Sequence, residues 1–367
     1  MSLNDFGWNR KLQKSFGDYE QRGLAPARVC AEHRERYRIV SAEGEQWAEV
    51  SGKLRHGVRT RADYPAVGDW TAVAASTSDG PAVIHAVLPR RSRIVRKAVR
   101  AGGPKYGEGR TEEQVLAANV DTVFLVTGLD QDFNLRRLER YLPMAWDSGA
   151  DPVILLNKAD LCDDPQQALN ATRDIAPGVP VYPISAATGE SLAVLETFLE
   201  PGRTAVLLGS SGVGKTTLIN ALLGEERLAT REVREYDSRG RHTTTHRHLL
   251  NLPGGGLIID TPGLREVRLW ESEDGLERTF GDVEELIEQC RFRNCSHQSE
   301  PGCAVQAALA DGNLDPGRWR NYLKQQKELE HLRLRQDKRA ARAAQKEFAK
   351  MCAAHIKEMR KTGRKGY

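Results

Sequence analysis

TAVLLGSSGVGKTTLINALL, residues 204–223, decides the fold. TAVLL is a run of small and branched apolar residues, the pattern of a strand buried on both faces. GSSGVGKT, from Gly209 to Thr216, matches G-x-x-x-x-G-K-[ST], and TTLINALL opens a helical pattern behind it. Strand, glycine-rich turn and helix form the context in which this spacing binds phosphate. The glycines let successive backbone N–H groups turn toward an anion, and the helix N-terminus adds positive potential. Gly209, Ser210, Ser211, Gly212, Val213, Gly214, Lys215, Thr216 and Thr217 are therefore the candidate phosphate-binding residues. Lys215 supplies counter-charge and the Thr216 hydroxyl a ligand for Mg²⁺. Outside that context the same letters would be a chance Gly/Ser turn ending in lysine.

Upstream, DTVFLVTG, DPVILLN and VPVYPIS are further apolar runs, with helical patterns such as NLRRLERYLPMAWDSG and ESLAVLETFL between them. Alternation of this kind predicts a mostly parallel sheet with crossover helices. Asn157, Lys158, Ala159 and Asp160 directly follow PVILL. A carboxylate at Asp160 can accept from both N1–H and the amino group of guanine, whereas adenine offers neither donor on that edge and would leave the carboxylate unpaired. Lys158 can lay its stem along the ring, and Asn157 can bond the purine or neighbouring loops. Ser185 and Ala186 end the VPVYPI run and can turn backbone N–H groups toward the base.

Downstream, HRHLLNLPGGGLIID reads as two strands joined by a glycine-rich turn. It ends at Asp260, placed to hold the water shell of Mg²⁺, with Gly263 just beyond to sense a γ-phosphate. GRHTTT, residues 240–245, precedes the hairpin. One of Thr243, Thr244 and Thr245 is expected to complete Mg²⁺ coordination; Thr244 is carried as the candidate, although the spacing does not separate the three. Many GTPases place Gln after the last glycine of this segment to orient water, but here the residue is Leu264. His242 is the candidate catalytic residue in its stead; the other reading is a surface-loop histidine. The order of segments is base readers, phosphate loop, switches. Ordinary small GTPases run phosphate loop, switches, base readers, so this is the same domain circularly permuted.

Cys290, Cys295, His297 and Cys303 lie within fourteen positions, in polar sequence. Three thiols and an imidazole make a complete tetrahedral set for one structural Zn²⁺. The bland alternative is three free cysteines beside a surface histidine.

Residues 1–36 read as an irregular polar extension. YRIVSA, EQWAEVSG, VGDWTAVAA, AVIHAVLPR and SRIVRKA, between residues 37 and 100, suit a small five-stranded barrel. AGGPKYGEGR reads as a linker into the G domain (residues 101–268), which is followed by a metal-binding region at 269–330. The overall charge of +4 is uneven: residues 331–367 hold twelve Lys/Arg and three Asp/Glu, net +9, leaving −5 on the other 330 residues. Residues 320–367 read as one long helix whose tail presents a basic stripe, and an anionic partner is expected. No apolar run approaches bilayer length and no secretory signal is evident, so a cytoplasmic location without membrane contact is expected.

Barrel, permuted G segments, GRHTTT and C-x4-C-x-H-x5-C, in this order, resemble the ribosome small subunit-dependent GTPase A family of bacteria. The resemblance covers about residues 37–330. It implies a multidomain α/β fold: an N-terminal OB-fold barrel, a central circularly permuted P-loop GTPase domain and a C-terminal helical zinc-binding domain. It implies GTP hydrolysis to GDP, stimulated by the small (30S) ribosomal subunit, late in maturation of that subunit. Its GTP-binding residues fall on Asn157 to Asp160 and Gly209 to Thr217, and its zinc ligands on Cys290, Cys295, His297 and Cys303. Contact with 16S rRNA and a monomeric chain are expected. The alternative is an RNA-binding assembly factor that binds GTP with little turnover of its own.

Overall fold

The computed structural model describes residues 2–33, 36–58, 60–74, 80–99, 111–225, 247–260 and 273–334. It forms two compact units, Met1–Gly281 and Asp282–Tyr367.

The first unit opens with α1 (Arg10–Glu20) and continues into a barrel of β1 (Ala25–Glu32), β2 (Tyr37–Ser41), β3 (Gly44–Val50), β4 (Trp70–Ala74) and β5 (Ala82–Val87). A short helix, α2 (Gly52–Gly57), lies between β3 and β4. The order β1-β2-β3-β5-β4 closes because β4 pairs back with β1. Only β3–β5 is parallel. This is the OB-type barrel. Ala27, Val29, Ile39, Ala48, Val73 and Ile84 fill its interior.

Two sequence expectations fail here. The stretch 1–36 is not irregular: it supplies α1 and the first barrel strand. APARVCAE hides that strand because Pro26 and Arg28 interrupt its apolar pattern. Yet Arg28 is buried, its guanidinium donating to the carbonyls of Phe6 and Gly68 and to Thr204 Oγ1 at 2.9 Å, and lying over the Trp70 ring. Burial pushes its pKa down to about 10. Nor does SRIVRKA complete the barrel. Once β1 and β4 pair, the barrel is closed without it. Instead β6 (Arg93–Val99) pairs antiparallel along its whole length with β7 (Thr111–Ala118), a strand the sequence reading passed over. The expected linker at 101–110 lies outside the described residues.

The nucleotide-domain sheet follows with β8 (Thr122–Gly128), α3 (Leu135–Asp147), β9 (Asp151–Asn157), α4 (Pro165–Ile175), β10 (Val181–Pro183), β11 (Thr204–Leu208), α5 (Lys215–Leu223), β12 (His248–Asn251), β13 (Leu257–Asp260) and α6 (Glu273–Thr279). Its order is β10-β9-β8-β11-β13-β12, parallel except for β12. The phosphate-loop strand β11 is thus central although it is fourth in chain order, as permutation requires. The expected hairpin is β12–β13. The expected helix at ESLAVLETFL is only a 3-10 turn, Leu192–Thr197. Left-handed Ser191 opens it, and the chain must turn at Pro201-Gly202 into β11, leaving little length for a crossover helix.

The second unit holds α7 (Gly281–Glu288), α8 (Ala304–Ala310) and a helix over 316–334. Arg318 makes a two-pronged ion pair with Asp282, at 2.9 and 2.6 Å. The rings of Trp319 and Tyr322 stack 5.6 Å apart. The basic tail from 335 onward lies outside the described residues.

Candidate nucleotide site and metal cluster

All five residues of β11 are buried, and the chain leaves the sheet at Gly209. A Cβ there would stand 2.2 Å from the Val126 carbonyl of neighbouring β8, so only glycine lets the loop begin so close to the sheet. Gly214, at φ +91°, caps α5 in the left-handed region; a Cβ on it would meet Asn157 Nδ2 at 2.3 Å. Ser211 and Gly212 are exposed, Val213 is buried beneath them, and Thr216 and Thr217 are half-buried in the first turn of α5. Lys215 folds back over the loop, Nζ donating to the carbonyls of Gly209, at 2.7 Å, and Ser210.

Asn157 ends β9, buried, and joins the three loops. Its Nδ2 donates to the Val213 carbonyl at 2.7 Å, and its Oδ1 accepts from the Ala186 N–H at 2.9 Å. In this structure the Asn157 side chain bonds the neighbouring loops. Ser185 is buried beside Ala186, and its hydroxyl accepts from the Thr188 N–H. Lys158 takes a left-handed conformation, φ +64°, which turns the chain sharply out of the sheet. The Ala159 N–H then bonds the Ile184 carbonyl at 3.0 Å, and Asp160 is exposed. Asp260, at the end of β13, is partly buried. Burial raises its pKa, and the charge of Lys215 opposes the rise.

The fold therefore gathers the phosphate loop, Asn157 to Asp160, Ser185–Ala186 and Asp260 at the carboxyl ends of adjacent parallel strands, where open α/β sheets bind ligands. His242, Thr244 and Gly263 lie outside the described residues. Sequence reasoning missed the loop between β8 and α3. There Asp130 pairs with Lys158 at 2.5 Å, and Asp132 pairs with Arg137 and with Ser210 of the phosphate loop. The available signal was a D-x-D run directly after a buried strand.

In the second unit, the ligand atoms of Cys290, Cys295, His297 and Cys303 all lie within 4.8 Å of one another. A tetrahedral ion with bonds of about 2.3 Å to sulfur sets its sulfurs about 3.8 Å apart. Here Cys290 Sγ and Cys303 Sγ are 3.9 Å apart, and His297 Nδ1 is 3.5 and 3.6 Å from them. The donor set and its spacing fit a metal ion. Surrounding groups fix it: Gln306 donates to the His297 carbonyl, its N–H points at Cys303 Sγ, and Trp319 meets the His297 ring edge-on.

Residues 87–270 match the family described as RsgA GTPase. The chain is 49% identical over 360 residues to the small ribosomal subunit biogenesis GTPase RsgA of Opitutus terrae, covering 96% of each chain. It is 44% identical to RsgA 1 of Oceanobacillus iheyensis, over 96% of this chain and 98% of that one. Among solved structures, YjeQ from Thermotoga maritima superposes with a TM-score of 0.58 at 26% identity, covering 83% of this chain and 98% of that one. YloQ, described as a circularly permuted GTPase, shares the fold with a TM-score of 0.56 at 24% identity, over 84% of this chain and 96% of that one.

Proposed function

The chain belongs to the RsgA GTPase family, and from that premise we infer that it hydrolyses GTP to GDP and phosphate in biogenesis of the small ribosomal subunit. One observation carries the nucleotide reading: Asn157 ties the guanine-reading segment to the phosphate loop and to Ala186 through two buried hydrogen bonds. Base-binding and phosphate-binding elements are thereby parts of one preformed site.

In that site Asp160 accepts from the guanine N1–H and amino group, the Lys158 stem covers the ring, and the Ser185–Ala186 turn closes on the base. Gly209 to Thr217 cradle the phosphates, and Lys215 moves from its carbonyl partners to phosphate oxygens. Thr216 and Thr244, with Asp260, would hold Mg²⁺, which would supply charge neutralisation at the phosphates. Gly263 senses the γ-phosphate, and His242 orients the attacking water. The donor set of Cys290, Cys295, His297 and Cys303 suits Zn²⁺, with no open position for catalysis. The small subunit and its 16S rRNA are the partners, met by a monomer in the cytoplasm; among the described residues no helix is long and apolar enough to cross a membrane.

Phosphate release measured with and without purified small subunits tests this reading. Stimulation by the subunit is expected. An equally low rate in both leaves the alternative, an assembly factor that holds GTP without useful turnover, which Leu264 at the usual glutamine position favours.

A further inference from the structure

The generic phosphate-loop pattern leaves its second position open, and here it is Ser210. The Ser210 hydroxyl donates to Asp132 Oδ2 at 2.7 Å and accepts from Arg137 Nη1 at 3.0 Å. Arg137 in turn grips Asp132 with both prongs, Nη1 to Oδ2 at 2.5 Å and Nη2 to Oδ1 at 2.9 Å. The backbone of Arg137 is held separately, because its main-chain N–H is capped by Asn134 Oδ1 in the first turn of α3. Two residues before Asp132, the Asp130 carboxylate accepts from the Asp132 N–H at 3.0 Å and from Lys158 Nζ at 2.5 Å. The loop is also anchored to the sheet by the Leu129 N–H on the Asn157 carbonyl at 2.7 Å.

We propose that the loop from Gly128 to Asn134, with Arg137, is a brace for the nucleotide site, in which Asp132 and Arg137 position the phosphate loop through Ser210 while Asp130 positions Lys158. This deepens the nucleotide reading and rests on it. None of the three charged residues need touch nucleotide; they act through Ser210 and Lys158 and are positioning residues. Their ionisation is consistent with the geometry. The Arg137 hydrogen bonds hold the Asp132 carboxyl below the usual range, and Arg137 itself is raised. Burial opposes ionisation of Asp130, but the bonds from Lys158 and the Asp132 N–H outweigh it.

The brace addresses a specific difficulty. Ser211 and Gly212 are exposed and glycine-rich loops are entropically costly to order. A site held in its binding geometry before ligand arrives does not spend binding energy on ordering. A fixed Lys158 ammonium likewise leaves its stem as a ready platform for a purine ring. A guanidinium fork suits this role, since lysine at position 137 could not grip both carboxylate oxygens while reaching the Ser210 hydroxyl.

The test uses the full chain, with a fluorescent GDP as probe and with hydrogen exchange of the nucleotide-free protein as an independent readout. In Asp132→Ala, GDP affinity should fall about tenfold, the loss of roughly one charge-assisted hydrogen bond, with kcat at saturating GTP within about twofold. Ser210→Ala should lower GDP affinity to the same extent, the double variant should bind no more weakly than either single one, and Ser210→Thr, which keeps the hydroxyl, should retain binding. Amides 209–214 should exchange faster in both alanine variants without nucleotide. Unchanged exchange together with additive losses, or wild-type affinity in Asp132→Ala, overturns the brace. Faster exchange in a protein whose native form binds no GDP would keep the brace and sink the nucleotide reading instead.

Discussion

The nucleotide site and the Cys/His cluster are both tight convergences of polar groups, but they are held by opposite means. The phosphate loop springs from a strand buried between β8 and β13 and is propped by Asn157, Asp132 and Arg137. Its geometry is complete in protein atoms. The cluster draws four ligands from residues 290–303, of which only Cys303 is buried. Its immediate support is Gln306, Val305 and the Trp319–Tyr322 stack. Three thiols and a ring whose ligand atoms all lie within 4.8 Å of one another have little cohesion of their own; an ion at their centre would be the core of that region. One site has its described loops joined through protein atoms, whereas the other gathers ligand atoms that only an ion would bind together.

The largest expected effect follows from the second half of that statement. Stripping the metal with a strong chelator, or Cys303→Ser, should cost the 282–334 unit a large part of its stability, since structural zinc binding is worth on the order of 10 kcal/mol. Hydrogen exchange should show protection lost across 282–334, while GDP affinity changes less than about twofold. Retained protection there, or an equal loss at amides 209–214, would break the contrast between the two sites.

The converse perturbation is smaller. Asn157→Ala removes two buried hydrogen bonds and leaves the Val213 carbonyl and Ala186 N–H without their side-chain partner. At about 1–3 kcal/mol for each stranded group, the first unit should lose roughly 2–6 kcal/mol, and GDP affinity should drop with it. The urea midpoint of the first unit and a GDP titration measure both. A variant that keeps native affinity would show that the loops are held by the sheet alone.

What could be read in the sequence follows the same division. β8, β9 and β11 were legible because strands buried on both faces are written as unbroken apolar runs, and the β12–β13 hairpin because a glycine-rich turn separates its two short runs. The phosphate loop was legible because its glycines answer to steric contacts with Val126 and Asn157. The cysteine cluster was legible from spacing alone. β1 was not, because the buried Arg28 is satisfied by carbonyls of Phe6 and Gly68 and by Thr204, far apart in sequence. The partner of β6 was invisible for a related reason: pairing with β7 crosses the 100–110 segment, and TEEQVLAA begins too polar to read as a strand. Asp130, Asp132 and Arg137 escaped because their meaning depends on β8 and β11 being neighbours, which no local pattern states.

The smallest expected effect sits inside the nucleotide site and has the opposite sign. Burial raises the Asp260 pKa and the Lys215 charge only partly offsets it. A carboxyl whose folded pKa exceeds its unfolded value of about 3.9 holds its proton more tightly when folded. The folded state then binds more protons than the unfolded state, and stability falls as pH rises from the unfolded value through the folded one. Above that window the ionised group remains a fixed cost in the nucleotide-free protein. Asp260→Asn should remove it, raising the thermal midpoint slightly at neutral pH and deleting the acid-side slope, while Mg²⁺-dependent GTP turnover falls roughly tenfold or more. A preformed site should show this trade, with stability given up in advance so that a charge is already in place for the ligand. If Asp260→Asn instead lowered the midpoint, the carboxylate would be part of the scaffold, and the nucleotide site would resemble the metal cluster in needing its charges to hold together.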